Sequence, residues 1–381
     1  MKKWKLWLIG IVNIVFFTRV VFSADGPITE YVIPTPSSNP VDIAADASDN
    51  IWFAEQNSNK LGRFAPSTQT FEEFEIPTPT DSIEGSPVGI AVDAGGFIWL
   101  ALSGDNSIIR FSPGEKKFKR YAIPTSDANP YGITAYEGGA IWFTERNSNK
   151  IGRLNSGDGA IAEYKIPTAN SQPSGIAVSA DGAVWFTESN GNKLGMLDPA
   201  TGKIVEHDIP MLFSNPSDIS IDKDGNIWFV ELNGNKLGMF NPKSKKFNEA
   251  IIPKLATVPS GIAIDKRGRV WFTENRGNRI GVFDPMPATF TEYEIPTYKS
   301  LPLGITVDSR GVVWFTETDR DANKLGRLDP SAVASPGSAD AEAGGMGNLL
   351  RASRIMAALI IIMFTGFIVW YILRKKERKQ E

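Results

Sequence analysis

Cysteine is absent from this 381-residue chain, and histidine occurs once, at His207. The lack of cysteine excludes disulfides, thiol catalysis, Cys-ligated zinc and iron–sulfur clusters. A single histidine excludes a His-rich metal site and a second catalytic triad of the usual kind. No long amphipathic helical pattern precedes residue 350, which excludes an all-α protein. With 42% hydrophobic residues, 35 Gly and 25 Pro, the chain predicts a large core interrupted by many turns.

Both ends of the chain are predicted to lie outside the fold. Residues 1–24 have the pattern of a secretory signal peptide, in which lysines precede an apolar stretch of twelve residues. That stretch spans only about 18 Å as a helix, too short for a bilayer core of about 30 Å. Residues 355–373 contain no charge, which predicts one C-terminal transmembrane helix about 28 Å long. Five Lys and Arg in residues 374–381 predict a basic cytoplasmic tail and an extracytoplasmic location for the preceding chain.

The segment between these ends is acidic. Residues 25–348 contain 29 Lys and Arg against 41 Asp and Glu, a formal net charge of −12, which argues against nucleic acid as a partner. Residues 331–354, rich in Ala, Gly and Ser, predict a flexible tether between the fold and the cell membrane.

Seven internal repeats occupy residues 25–330. Tryptophan recurs once after 47 and then five times after 43 residues, at Trp52, Trp99, Trp142, Trp185, Trp228, Trp271 and Trp314. A Tyr/Phe-x-Ile-Pro motif and its variants recur with the same spacings and end at Pro34, Pro77, Pro124, Pro167, Pro210, Pro253 and Pro296. Each unit holds four short apolar segments between turn residues, as a four-stranded blade requires. The repeats therefore predict an all-β, seven-bladed β-propeller that is one monomeric domain.

The order of the motifs predicts how the ring closes. An outer-strand motif at residues 28–34 comes first, and the last unit ends with the third-strand motif at residues 324–328. The N-terminal strand is therefore expected to complete the seventh blade and leave no open inner edge. The Trp-Phe pairs are expected to pack between neighbouring blades.

Two repeated positions are expected near the axis on one face, which we call the top face. One is residue x of Pro-x-Gly, where each inner strand starts, and the other is the Glu of Trp-Phe-Thr-Glu, where each second strand ends. Six blades carry this glutamate, at Glu55, Glu145, Glu188, Glu231, Glu274 and Glu317, and the second blade has Leu102. A residue repeated six times is first a solution to a repeated packing problem. The alternative is a ring of carboxylates at the funnel mouth that would suit Mg²⁺ or Ca²⁺, with Glu145, Glu188, Glu231, Glu274 and Glu317 as candidate ligands.

Two insertions interrupt the period on the top face. Four residues are inserted within residues 80–86, and two near Asp319 and Arg320. Binding residues concentrate on such loops. The candidate binding residues are therefore Glu84, Asp319 and Arg320 on the rim and Tyr131, Ser174, Ser217 and Ser260 at the x positions of the funnel.

The repeat resembles the streptogramin B lyase (virginiamycin B lyase) family over residues 28–330. The resemblance rests on segments such as Gly175-Ile176-Ala177-Val178, Val184-Trp185-Phe186-Thr187-Glu188 and Asn192-Lys193-Leu194-Gly195. It implies a seven-bladed propeller and a Mg²⁺-dependent elimination that opens the ester of a cyclic depsipeptide antibiotic. It also implies a histidine at x of Pro-x-Gly-Ile as general base, with the Trp-Phe-Thr-Glu glutamate near the metal.

This chain departs from that pattern at the base. Its x positions hold Val41, Val88, Tyr131, Ser174, Ser217, Ser260 and Leu303. His207 lies where other blades have Tyr or Phe in the outer strand, so it is expected to be structural. The favoured interpretation is a membrane-anchored ectodomain that binds a ligand or an envelope protein. The alternatives are a lyase or hydrolase that uses Mg²⁺ on the glutamates with an unusual base, and a surface spacer.

Overall fold

Each repeat folds into an antiparallel sheet of four strands joined by tight turns. The computed structural model describes residues 18–20, 27–77 and 85–332. We number the blades from the N-terminus and call the strands of a blade inner, second, third and outer, counting from the axis. Each inner strand contacts the inner strands of both neighbouring blades, and the contact between the seventh and the first completes the ring.

The strand bounds follow the repeat. The inner strands are Pro40–Ala45, Pro87–Val92, Pro130–Tyr136, Pro173–Val178, Pro216–Ile221, Pro259–Ile264 and Pro302–Val307. The second strands are Ile51–Glu55, Ile98–Leu102, Ala140–Glu145, Val184–Glu188, Ile227–Glu231, Val270–Glu274 and Val313–Glu317. The third strands are Lys60–Ala65, Ser107–Ser112, Lys150–Asn155, Lys193–Asp198, Lys236–Asn241, Arg279–Asp284 and Lys324–Leu328. The outer strands of blades 1 to 6 are Thr70–Glu75, Lys117–Ala122, Ile161–Lys165, Lys203–Asp208, Lys246–Ile251 and Thr289–Glu294.

The N-terminal strand supplies the outer strand of blade 7, as the motif order predicts. Ile28–Val32 pairs antiparallel with Lys324–Leu328, with Ile28 opposite Leu328. Tyr31 of this strand stacks on Trp314 with ring centroids 6.0 Å apart. The all-β seven-bladed propeller and its closure by strand pairing are therefore confirmed.

The main core lies between the blades. All five residues of most second strands are buried, because a neighbouring blade covers each face. Alternation along the strand directs Trp52 and Ala54 towards blade 2, whereas Ile51 and Phe53 face blade 7. This packing confirms the expected role of the Trp-Phe pairs.

The remaining described elements are short. Residues Thr18–Val20 pair in parallel with the outer strand of blade 6, and Glu137–Gly139 form one 3-10 turn. The chain divides into two units, Met1–Pro330 and Ser331–Glu381. Within the residues that the structure describes, no helix has the length and hydrophobicity needed to span a bilayer. The predicted transmembrane helix and cytoplasmic tail lie outside those residues, as do nearly all of the predicted signal peptide and tether.

Candidate functional site

The top face opens into an axial funnel with a cavity of about 430 Å³. All seven x residues of the inner strands line it: Val41, Val88, Tyr131, Ser174, Ser217, Ser260 and Leu303. They meet there because every inner strand starts at the same end of the ring. The structure therefore brings together the four funnel residues that sequence analysis selected.

Most blades are joined at the funnel wall by a repeated pair of hydrogen bonds. In blade 4 the Gly175 amide donates to Thr187 Oγ1 over 2.9 Å. The Thr187 hydroxyl in turn donates to the carbonyl of Ser217 in blade 5. Blades 3, 6 and 7 repeat both bonds with their own Gly and Thr. The repeated Gly and Thr therefore hold together the inner strands that carry the x residues.

Two funnel carboxyls, which sequence analysis did not select, replace this arrangement in blades 1 and 5. Asp42 and Asp218 occupy the glycine position, and Ala54 and Val230 occupy the threonine position. Each aspartate accepts an amide from the next blade over 2.9 Å, Asp42 from Ile90 and Asp218 from Ile262. The paired substitution was visible in the sequence as a simultaneous departure from Gly and from Thr.

Both aspartates line the funnel, and dense surrounding protein alters their acidity. Burial raises the pKa of Asp42 to about 7, with the charge of Asp218 as a second cause. Burial also raises the pKa of Asp218, to about 6. Desolvation disfavours the charged form of a carboxyl. The funnel therefore holds two groups whose charge changes near neutral pH.

A cation and an aromatic ring meet on the blade 3 side of the funnel. The Arg146 guanidinium lies over the Tyr131 ring, 3.7 Å from its centroid, and Nη2 is 3.5 Å from Ser174 Oγ. Burial raises the pKa of the Tyr131 hydroxyl. Arg146 directly follows the repeated glutamate, a position that holds Gln56 in blade 1 and Leu232 in blade 5. Sequence analysis did not select Arg146, because the only feature that marks this residue is that it differs from blade to blade.

The repeated glutamates lie inside the blades and not around the funnel mouth. All six are fully buried, and none lines the cavity. Each stands two residues after the buried Phe or its equivalent, so strand alternation directs it towards the preceding blade. Within the described residues, no group of three or more His, Cys, Asp or Glu side chains is placed to hold a metal ion. The repeated glutamates therefore lie inside the blades, whereas the sequence pattern predicted a ring of carboxylates at the funnel mouth.

Burial makes these carboxyls weak acids. Burial is the main cause that raises the pKa of Glu55, Glu145, Glu188 and Glu231 to about 7. The pKa reaches about 8 at Glu274 and Glu317 for the same reason.

Hydrogen bonding to the repeated glutamate depends on the next turn. Ser148 Oγ donates to Glu145 Oε2 over 2.5 Å, and Ser58 makes the same contact to Glu55. Gly277 replaces that serine beside Glu274, and neither oxygen of Glu274 has a hydrogen-bond partner. The nearby Thr257 hydroxyl donates to Asn235 instead. The serine contacts tie the glutamate to the turn that follows its own strand.

The rim candidates lie apart from the funnel. Arg320 lines a separate cavity of about 470 Å³ with Ser37, Asn39, Asn57 and Thr318. Asp319 lines neither cavity; its carboxylate accepts the Asp321 amide over 3.0 Å within the inserted turn. Glu84 lies outside the described residues.

Apolar side chains project from three consecutive top-face loops. The exposed fractions are 74% for Leu212, 83% for Phe213, 80% for Leu255 and 80% for Tyr298. Phe213 also has a φ of 58°, a left-handed conformation that bulky side chains rarely adopt. Asn170 holds the same conformation at the equivalent position of the preceding loop. The rim over blades 5 to 7 thus presents an apolar surface beside the funnel.

His207 is on the outer strand of blade 4, as predicted. Its ring lies 4.6 Å from Phe240 and stacks on Trp185 at 5.9 Å, the packing that Tyr164 makes with Trp142 in blade 3. Burial lowers the pKa of His207, and Lys245 adds to that effect. The imidazole does not line the funnel.

Comparison with known proteins identifies similar chains. The model of the virginiamycin B lyase family matches residues 79–328. A structure of streptogramin B lyase is 34% identical, with a TM-score of 0.74, and the match covers 79% of this chain and 97% of that one. Virginiamycin B lyase from Staphylococcus aureus is 31% identical, with a TM-score of 0.73 and coverage of 79% and 98%. A catalytically inactive histidine-to-alanine variant of the S. aureus enzyme, in complex with quinupristin, matches equally well. No match to a curated protein was found.

Proposed function

Because this chain belongs to the virginiamycin B lyase family, we propose that it keeps the family's propeller as a membrane-anchored, extracytoplasmic binding module. The ligand occupies the funnel, and the apolar rim over blades 5 to 7 adds contact surface for a larger ligand or an envelope protein. Exposed apolar side chains on adjacent loops are typical of binding surfaces. Phe213 keeps a bulky apolar side chain 83% exposed on a left-handed turn residue, which supports a role in binding.

The composition of the funnel wall carries this proposal. None of the seven x residues has an imidazole or amine, and the chain's one histidine packs against Trp185 and Phe240 in blade 4. In the similar S. aureus enzyme, a histidine-to-alanine variant is catalytically inactive. Positioned general-base catalysis contributes about 10²- to 10⁴-fold. A funnel without imidazole therefore supports binding in preference to elimination.

The last propeller strand ends on the face opposite to the funnel. Lys324 pairs with Glu317 at the top face, so the third strand of blade 7 ends at Leu328 on the opposite face.

A second candidate, an enzyme with a carboxyl base, is favoured by Asp42 and Asp218. Both line the funnel, and their pKa values of about 7 and 6 are suited to a base near neutral pH. Each carboxyl already accepts two backbone amides, which explains it as a link between blades. We therefore rank catalysis, including a Mg²⁺-dependent lyase or hydrolase, second.

Incubation with a streptogramin B antibiotic separates the two candidates. The full-length protein in detergent, with Mg²⁺, is expected to leave the macrocycle closed, as followed by mass spectrometry. The double variant Ser217→His/Ser260→His tests whether an imidazole is the missing element. Ring opening by the unmodified protein, abolished by Asp42→Asn, would establish the enzyme and contradict the binding-only proposal.

A protease experiment tests the anchored topology. Protease added to intact cells is expected to remove the propeller and to spare a tag placed after Glu381. Permeabilised cells, in which the tag should also be lost, are the control. Protection of the propeller in intact cells would overturn the extracytoplasmic location.

A further inference from the structure

Arg146 is a cation without a counter-ion. The guanidinium has no carboxylate within ion-pair distance among the described residues, and its Nε is buried without a hydrogen-bond partner. Its polar contact is the long one to Ser174 Oγ, at 3.5 Å. Desolvating a cation without compensation is unfavourable. The partly buried guanidinium of Arg146 is compensated by the Tyr131 ring and one long hydrogen bond, with no opposite charge beside it in the described part of the chain.

The cations that begin the third strands are neutralised, unlike Arg146. The third strand begins with Lys or Arg in six blades, and each of these residues forms an ion pair with an outer-strand glutamate. The pairs are Lys60–Glu73, Lys150–Glu163, Lys193–Glu206, Lys236–Glu249, Arg279–Glu292 and Lys324–Glu30. Residues 25–348 are also acidic overall. Arg146 nevertheless faces the funnel without a carboxylate partner among the described residues.

The surroundings of Arg146 hold it ready for a ligand. Tyr131 covers one face of the guanidinium at 3.7 Å, which fixes the plane of its donors. Neither Asp42 nor Asp218 forms an ion pair with Arg146; their carboxyls accept amides from blades 2 and 6. Ser174, Ser189 and Asn190 line the same cavity and can bond the rest of a polar ligand.

We propose that Arg146, held by Tyr131 and flanked by Ser174, anchors a carboxylate group of the ligand in the funnel. A planar guanidinium matches a planar carboxylate, and charge-assisted hydrogen bonds are about twice as strong as neutral ones. The carboxylate belongs to a small organic acid or to the C-terminus of a peptide. This inference rests on the proposed binding function and specifies the chemistry that the funnel recognises.

Thermal unfolding with carboxylate probes tests the anchor. Full-length protein in detergent is heated in sodium acetate, in sodium chloride of equal ionic strength, and with acetamide as a neutral analogue, while tryptophan fluorescence is recorded. Acetate in about tenfold excess over its Kd is expected to raise the midpoint by about 2–4 °C above both controls. Arg146→Gln should remove this increment. Arg146→Lys should keep part of it, because the charge remains without the planar donors.

Arg153→Gln is the matched control. Arg153 also lies over an aromatic ring of blade 3, 5.5 Å from the Trp142 centroid, but it is exposed and does not line the funnel. This variant should keep the full acetate increment. An equal increment in folded Arg146→Gln protein, or none in the unmodified protein, would overturn the inference. Near-UV circular dichroism establishes that the variants are folded.

Trialanine with a free C-terminus, compared with trialanine amide, distinguishes the two carboxylate sources. Binding of the free acid at least tenfold tighter than acetate indicates a peptide C-terminus, and equal binding indicates a small acid. If carboxylates fail while the funnel binds a closed streptogramin B, only this inference fails. If the protein opens the macrocycle, the proposed function fails whatever the acetate result.

Discussion

Two adjacent positions at the end of each second strand have opposite roles. The first is glutamate in six of seven blades, is fully buried and does not line the funnel. The next residue changes from blade to blade and lines the funnel in four blades, as Gln56, Arg146, Ser189 and Leu232. Alternation along a strand turns one side chain towards a neighbouring blade and the next towards the cavity. In this ring, the repeated glutamate is buried away from the cavity, and the residues that line the funnel vary.

Aspartates 42 and 218 combine both roles. They depart from the repeated glycine, line the funnel and still hold the next blade through a backbone amide. At these two positions the same carboxyl lines the funnel and links two blades.

Removing the closing strand is expected to have the largest effect on the stability of the protein. Deletion of residues 25–35 removes the whole outer strand of blade 7 and the Tyr31–Trp314 stack. We expect the unfolding midpoint to fall by about 10 °C or more, measured by calorimetry on the soluble fragments 25–330 and 36–330. An unchanged midpoint would mean that closure depends on other contacts.

The next largest loss of stability is expected from substitution of a single repeated glycine. A Cβ at Gly152 would lie 2.1 Å from the Phe143 ring, and that ring is fully buried between blades. Gly152→Ala is therefore expected to destabilise the protein by about 1–3 kcal/mol. Gly114→Ala, where nothing lies within 4 Å of a new Cβ, is the control and should cost much less. Equal losses in chemical denaturation would contradict the packing argument.

A change in the pH dependence of stability is expected at a repeated glutamate. Burial raises the pKa of folded Glu274 to about 8 from an ordinary value of 4.5. The folded state thus binds the proton more tightly, so this group's contribution is fully present below about pH 4.5 and is lost as pH rises towards 8. Glu274→Gln removes the titration and should reduce the fall in midpoint between pH 5 and 8.5 by a few degrees. A steeper fall in the variant would show that the ionised carboxylate stabilises the fold.

Sequence periodicity was sufficient for the blade number, the closing strand and the seven x residues, because each is set by repeat spacing and strand order. The direction of the glutamates was also encoded, since Glu188 stands two residues after Phe186 and shares its face. The position of Arg146 over Tyr131 was not, because it depends on the rotamers of two side chains in neighbouring strands. The pKa values of Asp42 and Asp218 depend on burial by several blades, which no local pattern specifies.

Pairing of Ile28 with Leu328 also sets a time for the ring to close. The N-terminal strand cannot pair until the third strand of blade 7 is made, about 300 residues later. At 5–20 residues per second this takes roughly 15–60 s of synthesis. During that interval Ile28–Val32 has an unpaired edge, and the growing array of blades remains open at both ends. The last step of folding joins distant parts of the chain and is intrinsically slow. Chaperones therefore meet an open, edge-exposed array long before the ring closes.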